Sequence, residues 1–240
     1  MLELQHISFE AETDDGVHKI LRDVSLTIDE RMVVITGPNG SGKSTLAKII
    51  AGIETPTEGT ILLDGENITH LSITERAHKG ISFAFQQPVR FKGITVFDLI
   101  SIASGKKLTV SEACNYLSEV GLCARDYVNR EVNGSLSGGE LKRIEIATML
   151  ARGTKISIFD EPEAGIDLWS FNNLIKVFEQ MYATIHGSIL IISHQERILE
   201  NADKIVVLAD GEIRAVGDKD EIMPELMNAS GICSRLVDRV

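Results

Sequence analysis

The sequence predicts an α/β fold in which a sheet-based core holds a glycine-rich loop and carries a helical insertion in its middle. Three observations predict it. A continuous apolar run, MVVIT at Met32–Thr36, leads straight into the glycine-rich stretch, as a buried parallel strand leads into a loop. Only helical patterns occur between about Thr95 and Arg152. Strand patterns then return, so the helical segment interrupts the core rather than following it.

The composition is that of an ordinary globular protein, with 43% hydrophobic and 25% charged residues among 240. A net charge of −11 argues against a nucleic-acid partner, because phosphate backbones are held by clustered Lys and Arg. No apolar run is long enough to span a bilayer, and the N-terminus lacks the pattern of a signal peptide. We therefore expect one domain over residues 1–240 in the cytoplasm, peripheral at a membrane only if a partner holds it there.

The N-terminal part of the chain predicts strands around one helix. Apolar alternation indicates strands over Leu2–Phe9 and Ile20–Ile28, with the acidic AETDDG segment between them as a turn. A helix is expected over Thr45–Ala51, closed by Gly52. The segment TEGTILLDGENI predicts a further strand and a turn at Asp64–Gly65.

The middle of the chain predicts the helical insertion, over approximately residues 90–152. Helical spacing occurs in VFDLISIAS, SEACNYLSEVGL and GELKRIEIATMLARG. Beyond it, the pattern predicts strands at Ile156–Phe159, Ser188–Ile192, Lys204–Leu208 and Glu212–Val216, and a helix at Phe171–Tyr182.

The glycine-rich stretch GPNGSGKST matches the phosphate-loop pattern G-x-x-x-x-G-K-[ST] in the required context, between a strand and a helix. Its glycines let backbone N–H groups turn inward around phosphates. Lys43 can neutralise the β- and γ-phosphates, and the Ser44 hydroxyl can coordinate Mg²⁺. The predicted nucleotide-binding residues are Gly37, Pro38, Asn39, Gly40, Ser41, Gly42, Lys43, Ser44 and Thr45.

A hydrolysable nucleotide also requires a carboxylate for Mg²⁺ and a group that serves the attacking water. The stretch ISIFDE supplies two acids at the carboxyl end of a predicted strand, the ligand side of a parallel sheet. Asp160 would hold Mg²⁺, directly or through water, and Glu161 would face the attacking water. Taken alone, such a pair is equally often a cap for the following turn.

Two further strand ends carry polar side chains. His194 follows the buried run ILIIS, where it would contact the γ-phosphate and help to orient Glu161 and the water. Gln86 follows ISFAF at the start of the helical insertion, where it would bind Mg²⁺ or water. It would also couple the presence of the γ-phosphate to the conformation of that insertion. As an isolated observation, a strand-end histidine is more often structural.

The segment LSGGE at Leu136–Glu140 is a second helix start suited to an anion. The first N–H groups of a helix have no partner within the helix, and the helix dipole places partial positive charge there. The chain already has a phosphate loop far upstream, so the pattern alone does not say whose phosphate this second helix start receives.

The motifs GPNGSGKST, FQQP, LSGGE, IFDEPEAGID and Ser193-His194 occur in the order found in ATP-binding cassette (ABC) ATPases, and the sequence resembles that family over essentially its whole length. LSGGE resembles the signature sequence of the family. The resemblance implies a P-loop NTPase core with an antiparallel β-lobe and an inserted helical lobe. It also implies ATP and Mg²⁺ as ligands and ATP hydrolysis as the activity, with Lys43, Glu161 and His194 as catalytic residues.

The resemblance also gives the second helix start a ligand. In ABC ATPases two cassettes face each other head to tail, so Ser137, Gly138 and Gly139 would cover the γ-phosphate bound by the opposite cassette. This sequence has one phosphate loop and one LSGGE, which implies an ATP-dependent homodimer or a pair with another ABC cassette. Asp167, in AGID, matches the loop that crosses this interface.

Within the family, FAFQQPVRFKGIT, SGGELKRIEI and HQERILE resemble the SufC-type ATPase of iron–sulfur cluster assembly. That resemblance implies a soluble scaffold protein docking near Val89–Thr95, and iron–sulfur cluster assembly is the first expectation for function. One alternative is the ATPase subunit of a membrane transporter, whose transmembrane part is another chain and docks at the same segment. Pro162 in DEPEAGID is shared with transporter cassettes. A second alternative is a nucleotide-gated dimerising module without essential turnover.

Overall fold

The computed structural model describes residues 1–13 and 16–230, and the chain forms two compact units. The described residues of unit 1 come from two separate segments, Met1–His70 and Ile192–Val240, whereas unit 2 is the continuous segment Leu71–Ile191. The tip of the predicted acidic turn, residues 14 and 15, lies outside the described residues. The expectation of one domain with a helical lobe over about 90–152 stays a prediction.

Three strands open the described chain, four consecutive helices lie in its middle, and strands and helices are mixed elsewhere. The strands are β1 (Leu2–Thr13), β2 (Gly16–Ile28), β3 (Met32–Thr36), β4 (Glu58–Leu63), β5 (Glu66–Asn67), β6 (Ile81–Ala84), β7 (Ile156–Asp160), β8 (Ser188–Ile192), β9 (Lys204–Ala209) and β10 (Glu212–Asp218). The helices are α1 (Lys43–Ala51), α2 (Ile73–His78), α3 (Val96–Ser104), α4 (Val110–Glu119), α5 (Ala124–Tyr127), α6 (Gly138–Arg152), α7 (Leu168–Thr184), α8 (Glu196–Leu199) and α9 (Lys219–Ser230).

One sheet of unit 1 is antiparallel, with the strand order β2-β1-β4-β5. In the β1–β2 ladder, Leu4 pairs with Leu26, and both side chains are buried. The ladder continues through pairs such as Glu10 with Lys19, so both strands extend beyond the predicted bounds. The cause is that backbone hydrogen bonds continue past the last apolar residue of each strand. This sheet has the character of the antiparallel β-lobe that the family resemblance implies.

The remaining strands of unit 1 carry the phosphate loop. They lie in the order β10-β9-β3, and β3 pairs in parallel with β9, with Ile35 opposite Val206. All five residues of β3 are buried, as its continuous apolar run predicts. Helix α1 follows the loop and ends at Gly52, whose left-handed conformation at φ +79° lets its N–H cap the helix end.

Unit 2 holds strands in the order β8-β7-β6 together with helices α2 to α7. Strands β6 and β7 pair in parallel, and all five residues of β7 are buried. Phe159 of β7 packs edge to face against Phe178 of α7, with ring centroids 5.0 Å apart. This packing fixes the strand whose last residue is Asp160, and thereby the position of the acidic pair at its end.

The helices differ from the prediction mainly at their ends and in the short elements. Helix α7 begins at Leu168 rather than Phe171, because the side chain of Asp167 accepts the N–H groups of Trp169 and Ser170. The short helices α2, α5 and α8, and the helix α9, were not predicted from apolar spacing. Within residues 1–13 and 16–230, no helix combines the length and the apolar content needed to cross a bilayer.

Candidate nucleotide-binding site

The phosphate loop of unit 1 owes its shape to glycines in conformations that other residues rarely adopt. Gly37, Gly40 and Gly42 have φ values of +139°, +79° and +97°. A Cβ atom at Gly37 would lie 1.9 Å from the carbonyl oxygen of Leu208, and one at Gly42 would lie 2.7 Å from a methyl carbon of Leu21. At Gly40, no described atom lies within 4 Å of that position. The first and last glycines therefore allow close packing, whereas Gly40 leaves the loop open to a ligand.

Lys43 places a positive charge inside this loop. Its side chain is only 5% exposed, and its Nζ donates to the carbonyl oxygens of Gly37 and Pro38 at 2.9 and 2.8 Å. The buried Ser41 hydroxyl has no hydrogen-bond partner among the described residues. A buried hydroxyl without a partner is costly, and a phosphate oxygen would satisfy it. Ser44 and Thr45 follow, half-buried, in the first turn of α1.

The segment carrying His194 is also in unit 1. Ser193 is buried, and its N–H donates to the carbonyl oxygen of Ile35 at 3.2 Å, near the end of β3. The Ser193 hydroxyl accepts the N–H of Gln195 at 3.0 Å. His194 is exposed between these two anchored residues. Because β3 leads directly into the phosphate loop, unit 1 brings the predicted histidine segment to the same strand end as the loop.

Unit 2 brings together two of the predicted residues, Gln86 and Glu161. The side-chain N–H of Gln86 donates to a carboxylate oxygen of Glu161 at 2.6 Å. Glu161 has φ +45°, a left-handed conformation that is strained for a residue with a side chain. Asp160, the preceding residue, is buried at the end of β7. The arrangement holds the Glu161 carboxylate with one charge-assisted hydrogen bond.

Lys142 of α6 is a functional candidate that the sequence reasoning missed. It is 4% exposed, and its Nζ donates to the carbonyl oxygens of Glu161 at 3.4 Å, Ala164 at 2.8 Å and Pro162. Burial lowers the pKa of Lys142, and the nearby carboxylates, chiefly Glu163, oppose that shift. A buried ammonium therefore holds the backbone of the segment that begins with Glu161. Its sequence neighbours, including the charged Arg143, give no signal that distinguishes it.

Glu145, one turn farther along α6, is a second residue that the sequence reasoning missed. Its carboxylate accepts the backbone N–H of Phe85, the residue before Gln86. Burial raises the pKa of Glu145 to about 7, and the hydrogen bond from Phe85 and the charge of Lys142 oppose that rise. Helix α6 thus contacts both strand ends of unit 2 that carry predicted site residues.

The LSGGE segment starts α6 with a capping box. The Ser137 N–H donates to the Glu140 carboxylate at 2.6 Å, and the Glu140 N–H donates to the Ser137 hydroxyl at 3.3 Å. The Tyr127 hydroxyl also donates to Glu140. Ser137 and Gly138 are exposed, so the helix start faces outward from unit 2 as the anion-binding prediction requires.

The same helix start packs tightly against the first turn of α7. A Cβ atom at Gly139 would lie 2.6 Å from the Ser170 hydroxyl oxygen, and one at Gly138 would lie 3.5 Å from the carbonyl oxygen of Gly165. Asp167 accepts the N–H groups of Trp169 at 2.9 Å and Ser170 at 3.0 Å. These hydrogen bonds, chiefly those from Ser170, lower the pKa of Asp167. Asp167 therefore orders the start of α7 beside LSGGE.

A family model for ABC transporters matches residues 21–164. An ABC transporter ATP-binding protein of Methanocaldococcus jannaschii is 38% identical over 232 residues, which cover 92% of this chain and 92% of the relative. The energy-coupling factor transporter ATP-binding protein EcfA1 of Mycoplasma mobile is 35% identical, over 93% of this chain and 82% of that protein.

A solved dimeric ATP-binding cassette, bound to ADP and phosphate after hydrolysis, is 25% identical to this chain. Its TM-score is 0.80, and the match covers 91% of this chain and 99% of the other. A cassette of another ABC transporter has a TM-score of 0.81 at 27% identity, with 96% of both chains covered. These neighbours confirm the predicted P-loop cassette fold.

The expectation of SufC-type iron–sulfur cluster assembly with a soluble scaffold is wrong, because the relatives are transporter ATP-binding proteins. That expectation depended on three short stretches, whereas the match to the transporter ATP-binding protein extends over nine-tenths of the chain. The chain belongs to the ABC transporter family of ATP-binding cassettes, and it is an ATPase that binds ATP.

Proposed function

We propose that this chain is the ATP-hydrolysing subunit of a membrane transporter whose membrane-spanning part is a separate chain. The observation that carries the proposal is the similarity, over nine-tenths of both chains, to a transporter ATP-binding protein. A transport pathway through a bilayer needs membrane-crossing segments, and on this proposal the partner supplies them. On this proposal the protein lies at the membrane surface, held there by that partner.

In the proposed reaction, Lys43 supplies the fixed positive charge at the β- and γ-phosphates, and the open backbone around Gly40 receives their oxygens. The glycine conformations and the buried lysine support this assignment. The predicted Mg²⁺ ligands, Ser44, Gln86 and Asp160, offer hydroxyl, amide and carboxylate oxygens, the donor types that Mg²⁺ prefers. When bound, Mg²⁺ would neutralise charge that develops on the phosphates.

Glu161 is proposed as the group that accepts a proton from the attacking water, with His194 contacting the γ-phosphate. The 2.6 Å hydrogen bond from Gln86 fixes one oxygen of the Glu161 carboxylate and leaves the other to act. The strained backbone of Glu161, together with the three carbonyl oxygens held by Lys142, supports a precise role for this segment. Gln86 would then join the reacting centre to the partner-binding segment that follows it.

The active state is proposed to be a homodimer, or a pair with another ABC cassette, in which Ser137, Gly138 and Gly139 cover the nucleotide of the opposite chain. The exposed, capped start of α6 supports this role. A structural neighbour at 25% identity is a dimer bound to ADP and phosphate. The single phosphate loop of this sequence is consistent with two chains forming two nucleotide sites.

The membrane-spanning partner is proposed to dock at Val89–Thr95. Val89 and Phe91 are exposed apolar side chains in this segment. The Phe91 N–H donates to the carbonyl oxygen of Val132 at 2.9 Å, so the segment is anchored to unit 2 while its apolar side chains stay accessible. A segment of this kind, directly after Gln86, is suited to transmit the state of the nucleotide to a partner.

Purification of the tagged chain from detergent-extracted membranes of its native cell tests this proposal. We expect it to carry a multi-span membrane protein, to lose that protein in Phe91→Asp, and to keep it in the control variant Val216→Asp on β10. Both variants should retain the ATP affinity of the natural chain. If the chain is recovered without a membrane-spanning protein, the proposal is contradicted. It is also contradicted if Phe91→Asp carries as much of that protein as the natural chain does. Neither result would affect the ATPase assignment.

A further inference from the structure

Two apolar side chains are exposed at the start of α7. Leu168 is 69% exposed and Trp169 is 81% exposed. Trp169 is the only tryptophan in the sequence. A side chain of this size is rarely left in water by a protein that acts alone, and tryptophan is enriched among the residues that dominate protein–protein binding. The position therefore indicates a contact that the isolated chain does not make.

The backbone beneath these side chains is fixed rather than loose. The Asp167 carboxylate accepts the N–H groups of Trp169 and Ser170 and the Ser170 hydroxyl, the last at 2.8 Å. Leu168 and Trp169 are thus the first two residues of an ordered helix of 17 residues. An ordered helix start presents its side chains in a defined direction, which lowers the entropy cost of a contact.

The exposed pair lies on the same part of unit 2 as the LSGGE helix start. Ser170, the next residue of α7, lies within 2.6 Å of the position that a Cβ atom at Gly139 would occupy, and Gly165 approaches Gly138. Ser137 and Gly138 are exposed at this place, as are Leu168 and Trp169. A molecule that covers Ser137 and Gly138 therefore approaches Leu168 and Trp169 as well.

We propose that Leu168 and Trp169 form an apolar contact with a second copy of this chain in the ATP-bound dimer, beside the contact made by LSGGE. The inference rests on the dimer in the proposed function and adds residues to its interface. It also predicts that the dimer depends on uncharged contacts as well as on nucleotide.

A structural neighbour at 25% identity is a dimer, which favours a second copy as the occupant, and the charge of α7 permits that contact. Each chain has a net charge of −11, so two copies repel one another unless the contact itself carries little charge. The first eight residues of α7, LWSFNNLI, contain no charged side chain, although charged residues make up 25% of the sequence. The centre of a protein–protein interface is typically depleted of charge and enriched in aromatic side chains. Helix α7 has that character where it adjoins LSGGE.

The single tryptophan makes the contact directly measurable. In the Glu161→Gln variant, where ATP is expected to persist, sedimentation velocity reports the dimer and tryptophan fluorescence reports the surroundings of Trp169. Without nucleotide we expect emission typical of a solvent-exposed indole, readily quenched by acrylamide. With Mg-ATP we expect a shift to shorter wavelength and protection from acrylamide, both in proportion to the dimer fraction.

Substitutions in the same Glu161→Gln background then measure the contribution of the contact. We expect Trp169→Ser and Leu168→Ser each to raise the dimer dissociation constant at least tenfold, with the ATP affinity of the monomer unchanged. The matched control is Ile102→Ser on α3, which removes a side chain that is 68% exposed. This control should leave the dissociation constant unchanged.

The outcomes separate this inference from the proposed dimer. A dimer that forms with Mg-ATP while Trp169 emission stays unchanged and the two substitutions have no effect overturns the inference and leaves the proposed function standing. Absence of any dimer at high protein and ATP concentrations contradicts the dimer itself, and the inference fails with it. A fluorescence change that requires the membrane-spanning partner assigns the apolar pair to that partner and also overturns the inference.

Discussion

At the scale of single residues, Lys43 offers the most direct test of the nucleotide site. Its ammonium is held inside the loop by two carbonyl oxygens, so it meets incoming phosphates without rearranging a mobile side chain. We expect Lys43→Ala to weaken ATP binding by at least roughly tenfold, about 1.4 kcal/mol. Titration with a fluorescent ATP analogue measures this. Lys48→Ala, in the last turn of α1, removes an equal charge as the control and should leave the ATP affinity unchanged. An equal loss of affinity in both variants would contradict the assignment.

Glu145 predicts a pH dependence of stability. Burial raises its pKa from 4.5 in the unfolded chain to about 7, so the folded state binds the proton more tightly between these values. The free energy of unfolding therefore falls as the pH rises through this window, by about 3 kcal/mol in total. The glutamine in Glu145→Gln does not titrate, so the free energy of unfolding of this variant should not show this decrease with pH. Urea denaturation of both proteins at about pH 5 and about pH 8 measures the difference. Equal losses of stability in the two proteins would show that Glu145 is not the group responsible.

The site residues that the sequence predicted are those whose motifs have a fixed spacing. Lys43 follows from the phosphate-loop pattern, and Glu161 follows from an acidic pair at a buried strand end. Lys142 and Glu145 could not be found in this way, because the charged residues of the stretch ELKRIE look alike until packing buries Lys142 and half-buries Glu145. Burial of a charged group is a tertiary property that a single sequence does not display.

At the scale of secondary-structure elements, the contact between α6 and α7 predicts a steric effect. A Cβ atom at Gly139 would overlap the side chain of Ser170, at 2.6 Å from its oxygen and 2.7 Å from its Cβ. We expect Gly139→Ala to lower the free energy of unfolding by about 1–3 kcal/mol, the usual cost of overpacking. Chemical denaturation measures this cost.

The second-site change Ser170→Gly removes both opposing atoms. We therefore expect the double variant Gly139→Ala, Ser170→Gly to lose less free energy of unfolding than the sum of the losses in the two single variants. Gly134→Ala is the control, since its nearest non-local atom is a terminal nitrogen of Arg90 at 3.9 Å. Additive losses in the double variant would mean that the helix contact does not limit stability at this position.

Element boundaries show why apolar periodicity predicted some helices and missed others. The strands Met32–Thr36 and Ser188–Ile192 have the predicted bounds, because their apolar runs end where pairing ends. Helices of four to six residues, such as α2 and α5, complete too few turns to display a period. Helix α2 nevertheless begins with a capping box formed by Ser72 and Glu75, and the same spacing starts α3, α4 and α6. Capping residues would have located it.

At the scale of the whole molecule, the proposed dimer predicts that nucleotide binding and dimer formation are separable. Ser137 is exposed at the start of α6 and belongs to unit 2, whereas the phosphate loop belongs to unit 1. We expect Ser137→Arg to abolish the ATP-dependent dimer of the Glu161→Gln variant and to keep monomer ATP affinity within a factor of about two. Sedimentation velocity and nucleotide titration measure the two properties on one sample. If the Ser137→Arg variant still forms the dimer, Ser137 does not cover the nucleotide bound by the opposite chain.

The family and the fold followed from the sequence, whereas the biological task did not. Five motifs in the order found in ABC ATPases carried the resemblance to the cassette family, and the family model confirms that resemblance. The first choice of task depended on three short stretches, which lie around Gln86, at the start of α6 and after His194. Pro162, shared with transporter cassettes, pointed toward the function that the relatives support.

The packing of Gly37 against the backbone of Leu208 has a consequence for synthesis of the protein on the ribosome. The phosphate loop takes its shape against a strand that is translated more than 160 residues later, and β3 is paired with that same strand. Unit 2, by contrast, is continuous and is complete in the nascent chain before β9 has been made. Domains fold as their chain emerges, so unit 2 is expected to be folded while unit 1 still waits for its second segment. A nascent chain thus acquires its ATP-binding loop only after β9 has been made, when all of unit 2 has already been translated.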